Sequence, residues 1–253
     1  MSVTVVTGAA SGMGRLCVDR LRGTTEHLVT VDLRNADVEC DVTDRDALAG
    51  LVKHVQDLGP LRALVHAAGI SPTMADARRV FEVDLVGTQL LLDAFEPLVV
   101  PGAAAVCFSS SAAYQIAPYV DPAHDPILDD PLATDFLDRI TADVTDSGHA
   151  YSLAKRGVIR AVARAAVPWG RRGGRVNSLA PGLIDTPMGR QEFEQQPMMQ
   201  VMLDNTPLGR LGQADEVAAV VAFLLSDDAS FISGIDVLVD GGMLQGMAAA
   251  PKS

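Results

Sequence analysis

Cysteine is scarce in this chain, with three residues among 253: Cys17, Cys40 and Cys107. Their spacing fits no metal-binding pattern, and each lies in an apolar stretch, so we expect three buried free thiols and no metal site. So few cysteines also exclude a small secreted fold held together by disulfides. The sequence therefore predicts a protein of a reducing compartment, which we take to be the cytoplasm.

Positive charge and long apolar runs are lacking as well. Lys and Arg number 20 against 32 Asp and Glu, which gives a formal net charge of −12. A chain this acidic is poorly suited to binding a phosphate backbone, so no nucleic-acid partner is expected. No apolar run is long enough to span a bilayer, and a strand beginning at Val3 leaves no room for a signal peptide. We therefore expect no membrane partner.

What the chain does contain is a regular alternation of strand-like and helix-like segments. Seven short apolar segments predict strands, at about 3–7, 28–31, 38–42, 63–69, 104–108, 175–179 and 235–239. Amphipathic segments between most of them predict helices. This alternation indicates an α/β fold, a doubly wound parallel sheet of the Rossmann type with three layers and a single domain over residues 1–253. Ligands of such sheets bind outside the carboxyl ends of the strands.

A glycine-rich turn follows the first predicted strand. Gly8, Gly12 and Gly14 lie between that strand and a helix predicted through about Leu21, which is the context of a dinucleotide-binding loop. Gly8 permits the tight turn, Gly12 lets the backbone approach a pyrophosphate, and Gly14 lets the helix pack near the strand. A purely structural turn is the alternative interpretation.

Asp32 ends the second predicted strand, 18 residues after Gly14. The interval is close to that expected for a carboxylate that accepts hydrogen bonds from the adenosine ribose. Because a carboxylate repels the extra phosphate of NADP, the sequence predicts NAD. Arg34 is the feature that favours NADP, since a nearby arginine can accommodate that phosphate.

Tyr151 and Lys155 lie four residues apart in a predicted helix, so they share one face. A nearby ammonium favours phenolate, so Lys155 is expected to lower the pKa of Tyr151 toward neutrality. Tyr151 could then exchange a proton with a substrate oxygen. The serines at 109–111 follow the fifth strand and are expected to face the same crevice. A surface tyrosine beside a solvated lysine is the alternative interpretation.

Residues 114–148 interrupt the alternation of strands and helices. They predict a looped insertion near the substrate crevice with one short helix that begins near Pro131. The helix is expected to cover the crevice mouth beside the methionine-bearing segment 187–208, as a lid over an apolar substrate. A solvated acidic loop is the alternative. The apolar stripe of the helix consists of Leu132, Phe136, Leu137, Ile140 and Val144.

In this order, the motifs resemble the short-chain dehydrogenase/reductase family over essentially the whole chain. The resemblance implies a nicotinamide cofactor and a catalytic group of Ser110, Tyr151 and Lys155. The residues that carry it are Gly8, Ser11, Gly12, Met13, Gly14, Asp32, Asp41, Ala67, Ala68, Gly69, Ser109, Ser110, Tyr151, Lys155, Pro181, Gly182, Thr186, Asp240, Gly241 and Gly242.

The same resemblance implies which residues contact NAD. Lys155 would hold the nicotinamide ribose, while Ile184 and Thr186 would hold the carboxamide. The full set of implied cofactor-binding residues is Gly8, Ser11, Gly12, Met13, Gly14, Asp32, Leu33, Asp41, Val42, Ala67, Ala68, Gly69, Tyr151, Lys155, Ile184 and Thr186.

Two positions depart from the family pattern. His66 stands where the family has an asparagine at the start of its Asn-Ala-Gly turn. Asp84 occupies the slot of a helix asparagine that joins the family's proton relay. Asp84 can still accept hydrogen bonds in this relay slot, but it brings a charge that the asparagine lacks.

Within the family, the chain is most similar to the bacterial 3α-hydroxysteroid dehydrogenases/carbonyl reductases, which share the Val-Asp-Leu-Arg sequence and the insertion. This implies a small apolar, steroid-like alcohol or ketone as substrate. The insertion precedes a helix that many family members use to form tetramers, so a homo-oligomer is expected and a dimer is favoured. Two other functions stay open: a 3-oxoacyl thioester reductase and a dinucleotide-binding regulatory protein without turnover.

Overall fold

A parallel sheet of seven strands forms the centre of the computed structural model, which describes residues 2–250. Its strand order is β3-β2-β1-β4-β5-β6-β9, and all neighbours run parallel. A separate pair is formed by β7 (Ile184–Asp185) and β8 (Gly212–Gln213). The strands of the large sheet are β1 (Val3–Thr7), β2 (His27–Asp32), β3 (Val38–Glu39), β4 (Leu61–His66), β5 (Ala104–Phe108), β6 (Arg175–Pro181) and β9 (Asp236–Val239).

Twelve α-helices lie within residues 2–250, and five of them cover the two faces of this sheet. The twelve are α1 (Gly12–Leu21), α2 (Arg45–Leu58), α3 (Ala77–Phe81), α4 (Gly87–Phe95), α5 (Ala112–Ile116), α6 (His124–Leu128), α7 (Phe136–Asp143), α8 (Ser147–Arg171), α9 (Pro187–Gln195), α10 (Met198–Asp204), α11 (Ala214–Leu225) and α12 (Met243–Ala249). Helices α2, α4 and α8 pack on one face, and α1 and α11 pack on the other. The predicted three-layer, doubly wound fold is therefore confirmed.

Burial on both faces explains the composition of the central strands. Every residue of β1 and β5 is buried, and these strands are continuous apolar or β-branched runs, as is usual in parallel sheets. The chain leaves β1 toward β2 on one side and later returns to β4 on the other side of β1. This reversal opens a crevice at the carboxyl ends of β1 and β4.

One turn of wider helix joins α3 to α4. Residues 77–95 follow one helical path, in which Glu82–Val86 form a π-helical turn. Such turns often occur at functional sites, because the extra residue changes which side chains face inward. Asp84 lies in this turn and is buried.

The insertion differs from its prediction. Residues 114–148 contain α6 and α7 besides a short 3₁₀ turn, rather than one helix in a loop. The apolar stripe of α7 packs with Phe81 of α3 and Leu153 of α8, and Phe81 and Phe136 meet edge to face with ring centroids 6.0 Å apart. The predicted contact of this stripe with the methionine-bearing segment is therefore wrong.

Salt bridges add to the attachment of the insertion. Asp125 of α6 pairs with Arg156 at 2.9 Å and with Arg160 at 3.1 Å on α8. Asp129, directly after α6, pairs with Arg160 and Arg164. The insertion thus lies along one side of α8 instead of over the crevice mouth.

Candidate active site

The glycine loop after β1 has the geometry that its sequence predicts. Gly8 has a φ of +68°, and a Cβ there would lie 2.6 Å from the carbonyl carbon of Ala67. A Cβ on Gly14 would overlap the carbonyl oxygen of Gly8. Ser11 precedes α1 without capping it through its side chain, so the first N–H groups of α1 stay available to an anion.

A cavity of about 490 Å³ lies over this loop and the ends of the strands. Residues that the sequence did not predict also line this cavity, among them Met74 and Arg79. Nearly all of the predicted cofactor-binding residues line it: Gly8, Ser11, Gly12, Met13, Gly14, Asp32, Leu33, Asp41, Val42, Ala67, Ala68, Gly69, Tyr151, Lys155 and Thr186. Ile184 is the exception, because it lines a second cavity instead.

Asp32 is fixed at the end of β2 by two backbone donors. The Ala10 N–H donates to Oδ2 at 3.0 Å, and the Leu33 N–H donates to Oδ1 at 2.7 Å. The carboxylate is therefore tied to the glycine loop and lines the cavity. Arg34 is exposed and is not among the described residues that line this cavity.

Asp41 is held in place by Thr43 and by an arginine from α3. Its Oδ1 accepts hydrogen bonds from the N–H and hydroxyl of Thr43 at 2.9 and 2.7 Å. Arg79 donates to Oδ2 at 3.2 Å. Burial alone would raise the pKa of Asp41, but these bonds hold it below its usual range. No local motif marks Arg79, because its role depends on contacts 36 and 38 residues away in the chain.

Tyr151 lies where the first cavity meets a second one of about 480 Å³. Ser110 lines the second cavity together with Tyr151, and its hydroxyl lowers the pKa of the Tyr151 phenol. Lys155 lies one helical turn away, with its Nζ 5.6 Å from the centroid of the Tyr151 ring. The structure thus brings together the three residues predicted to form the catalytic group. Asp146 caps α8 by accepting from the His149 N–H at 2.8 Å, which fixes where that helix begins.

The predicted effect of Lys155 on Tyr151 is wrong. Burial raises the pKa of Tyr151 above its ordinary value, and the carboxylates of Asp84 and Glu192 raise it further, while the Ser110 hydroxyl lowers it. The Lys155 ammonium is itself engaged, since Nζ donates to the Phe108 carbonyl at 3.2 Å and lies 3.4 Å from Asp84 Oδ1. A helical spacing alone could not show these other partners.

His66 is a buried neutral link between the sheet and α4. The Thr88 hydroxyl donates to the Asp84 carbonyl at 2.7 Å, so it must accept from His66 Nε2–H at 3.0 Å. His66 Nδ1 then accepts from the Thr7 hydroxyl at 2.8 Å. Burial lowers the pKa of His66 to about 3, with a smaller effect from Lys155. His66 therefore joins β1 to α4 as a neutral imidazole.

Ser110 is positioned by a contact that the sequence did not predict. The neighbouring Ser109 hydroxyl donates to Asp236 Oδ1 at 2.6 Å, and the Tyr114 hydroxyl donates to Oδ2 at 2.8 Å. Asp236 therefore connects the strand end before Ser110 with α5. Its distance of 127 residues from Ser109 in the chain hides the contact from any local pattern.

The second cavity is largely apolar. Its lining includes the expected methionines of segment 187–208, which are Met188, Met198, Met199 and Met202. Only Gln115 and Gly148 of the insertion line it. Glu192 also lines it, and burial raises the pKa of this carboxyl. Segment 187–208 therefore lines much of this cavity, whereas the insertion contributes only its two ends.

Neither a membrane-spanning helix nor a metal-binding cluster occurs within residues 2–250. No helix there is both long and apolar enough to cross a membrane. No group of three or more His, Cys, Asp or Glu side chains there is arranged to hold a metal ion.

Comparisons with known proteins agree with this geometry. The sequence model described as "Enoyl-(Acyl carrier protein) reductase" matches residues 8–124 and 138–244. "Short-chain dehydrogenase/reductase bsc3" from Alternaria brassicicola is 32% identical, over 88% of this chain and 83% of that protein. The 3-alpha-hydroxysteroid dehydrogenase/carbonyl reductase of Comamonas testosteroni is 30% identical over 96% of both chains.

A solved structure is similar over the full length of the chain. The 3-alpha-hydroxysteroid dehydrogenase from Pseudomonas sp. B-0831, complexed with NADH, has a TM-score of 0.84 and 32% identity, covering 100% of both chains. The family model leaves residues 125–137 of this chain unmatched, and these residues fall within the insertion. This chain belongs to the short-chain dehydrogenase/reductase family of oxidoreductases.

Proposed function

We propose that the protein is an NAD-dependent oxidoreductase that interconverts a secondary alcohol and a ketone on an apolar, steroid-like substrate. The observation that carries this proposal is the position of Tyr151 at the junction of two cavities, with Ser110 beside it in the second cavity and Lys155 one helical turn away. One cavity has the dinucleotide-binding loop, and the other has an apolar lining. The residues of the first cavity fit NAD: a helix N-terminus for its phosphates and an anchored Asp32 carboxylate for its ribose.

The cofactor supplies the hydride chemistry, and the protein supplies position and proton transfer. Ser110 would donate a hydrogen bond to the substrate oxygen. Tyr151 would give its phenolic proton to that oxygen in ketone reduction and accept the proton in alcohol oxidation. Lys155 would hold the nicotinamide ribose. The large apolar surface of the second cavity would exclude water from the reacting carbon.

Both the cavity and the relatives support the choice of substrate. The four methionines can adapt to a bulky apolar ligand, because their side chains are unbranched and polarisable. The Comamonas testosteroni relative and the NADH-bound neighbour both carry hydroxysteroid dehydrogenase names. The assignment can be tested by measuring turnover of steroids, terpenoid alcohols and acyl thioesters by the wild-type protein, with NAD and with NADP. Turnover of acyl thioesters alone would favour the thioester reductase, and no turnover with any compound would favour a regulatory protein.

We expect NAD to be preferred over NADP by at least about tenfold in kcat/KM, which corresponds to about 1.4 kcal/mol. The fixed Asp32 carboxylate can accept bonds from ribose hydroxyls and repels an added phosphate. Asp32→Asn keeps the size of the side chain and removes its charge, so it should narrow the preference. Glu39→Gln removes a nearby exposed charge as the control. A clear NADP preference of the wild-type protein would contradict this prediction and point to Arg34.

We propose that the protein is a homodimer. The insertion lies along α8 through the Asp125 and Asp129 salt bridges, and many family members use this helix to form tetramers. Light scattering of the wild-type protein should give the mass of two chains. A tetramer would show that the covered side of α8 does not limit assembly.

We also propose a cytoplasmic location. Cys17, Cys40 and Cys107 are buried and free, which suits a compartment that keeps thiols reduced.

A further inference from the structure

Asp84 is a buried carboxylate behind the active site, and it lines neither of the two cavities. Its side chain is 0% exposed. Oδ1 lies 3.4 Å from Lys155 Nζ and accepts a hydrogen bond from the Ile70 N–H at 3.0 Å. Gly69 makes this contact possible, because a Cβ there would lie 2.6 Å from Asp84 Oδ1. A charged side chain therefore contacts Lys155 directly in a slot where the family has an uncharged asparagine.

The second carboxylate oxygen of Asp84 is buried without a group that offsets the cost of removing it from water. Oδ2 has no hydrogen-bond partner among residues 2–250, although buried carboxylates usually have several. Lys155 is thus the main counter-charge of Asp84. Burial raises the pKa of Asp84, while Lys155 and the Ile70 N–H lower it. An ammonium paired in this way has less influence on a neighbouring phenol than an unpaired one.

The charged groups that face Tyr151 come from three elements. Lys155 lies on α8, Asp84 in the π-helical turn, and Glu192 on α9. His66 on β4 is neutral, as shown above. Two carboxylates and one ammonium therefore act on a half-buried phenol, and burial together with the two carboxylates favours its protonated form.

We propose that Asp84 is a positioning residue that acts through Lys155 to keep Tyr151 protonated, so that ketone reduction is favoured near neutral pH and alcohol oxidation needs alkaline solution. This proposal rests on the proposed oxidoreductase function. In reduction the Tyr151 O–H bond breaks and its proton goes to the carbonyl oxygen. In oxidation the phenolate must already exist, because it takes the proton of the alcohol.

The first test is the pH profile of Asp84→Asn. Asparagine keeps the size of the side chain and an oxygen for the Ile70 N–H, but it removes the charge. We expect the acidic limb of kcat/KM for alcohol oxidation to move down by about one to two pH units. Oxidation at neutral pH should then rise by about tenfold or more, while the maximal rate of ketone reduction changes by only a few-fold.

Asp93→Asn is the matched control. Asp93 lies on α4, is exposed, and bonds to Gln89, so its substitution makes the same change in net charge away from Lys155. Its profile should superimpose on that of the wild-type protein. An unshifted profile in Asp84→Asn, or an equal shift in Asp93→Asn, would overturn the proposal. Asp84→Ser provides a second uncharged residue and should shift the limb in the same direction.

A second test does not depend on turnover. The chain has three tyrosines, Tyr114, Tyr119 and Tyr151, so the ultraviolet absorbance of phenolate can be followed and the Tyr151→Phe titration subtracted. Tyr151 should stay protonated through neutral pH in the wild-type protein and ionise at lower pH in Asp84→Asn. Ionisation of wild-type Tyr151 below about pH 8, well under the ordinary tyrosine pKa, would overturn the proposal. This result stands even if no substrate is turned over, which would instead refute the oxidoreductase function.

Discussion

Tyr151→Phe should lower turnover by about 10²–10⁴-fold, the usual contribution of a general acid or base. The substitution removes one oxygen and keeps the ring, so packing against the neighbours of α8 should remain. NAD affinity, measured by calorimetry, should stay within a few-fold of the wild-type value. A near-normal kcat in this variant would show that another group transfers the proton.

Tyr119→Phe is the control for this variant, because it removes the same hydroxyl from a tyrosine that is 78% exposed. It should leave kcat and thermal stability unchanged. Tyr151→Phe should itself change stability by only about 1 kcal/mol, the usual net contribution of one hydrogen-bonding hydroxyl. A rate loss of 10³-fold corresponds to about 4 kcal/mol in the barrier, so a stability effect of this size cannot account for it.

Much of the fold could be predicted because its signals are local. Buried parallel strands are continuous apolar runs. The glycine loop needs its residue types partly for local reasons, as the positive φ of Gly8 and the close approach of Gly14 to the Gly8 carbonyl show. The fourth strand ends at His66 rather than Gly69, since the small residues after it pair with no neighbouring strand. Small side chains at strand ends were correctly associated with the crevice.

The insertion was less predictable because a stripe shows that a helix is amphipathic but not what it packs against. Phe136 and Ile140 pack on α3 and α8, and no spacing in the sequence encodes that choice. The ionic contacts of Asp125 and Asp129 join positions 31 and 35 residues apart. Their role could be known only when α6 and α8 were seen side by side.

The active site likewise combines features that local motifs predict with features that depend on distant contacts. Motif positions identified Ser110, Tyr151 and Lys155, but the electrostatic balance among them depends on long-range contacts. Asp84 was noted as a departure from the family, yet its 3.4 Å contact with Lys155 is 71 positions distant in the chain. For this reason the sequence predicted a lowered pKa for Tyr151, whereas the surroundings of its phenol in the structure raise that pKa.

Lys155→Met should remove most of the turnover and also destabilise the fold. The loss of stability would show that the ion pair of Lys155 with Asp84 is broken. Removing one partner of a buried pair typically costs about 3–5 kcal/mol, because the other charge stays buried and unpaired. Asp84 would be that charge, with Oδ2 already unpartnered. Adding Asp84→Asn to Lys155→Met should therefore restore most of the lost stability without restoring turnover, since no ammonium remains to hold the cofactor ribose.

The slope of stability against pH distinguishes an unpaired Asp84 charge from a general packing defect, because only the unpaired charge would change that slope. Without Lys155, the folded-state pKa of Asp84 should rise further above its unfolded value, because only burial and the Ile70 N–H act on it. The folded state then binds more protons than the unfolded state, so stability should fall as pH rises from the ordinary Asp range through the raised pKa. Thermal melts of Lys155→Met at several pH values should show this slope relative to the wild-type protein, and the double variant should lose it. Equal slopes in the single and double variants would mean that Asp84 is not the uncompensated charge.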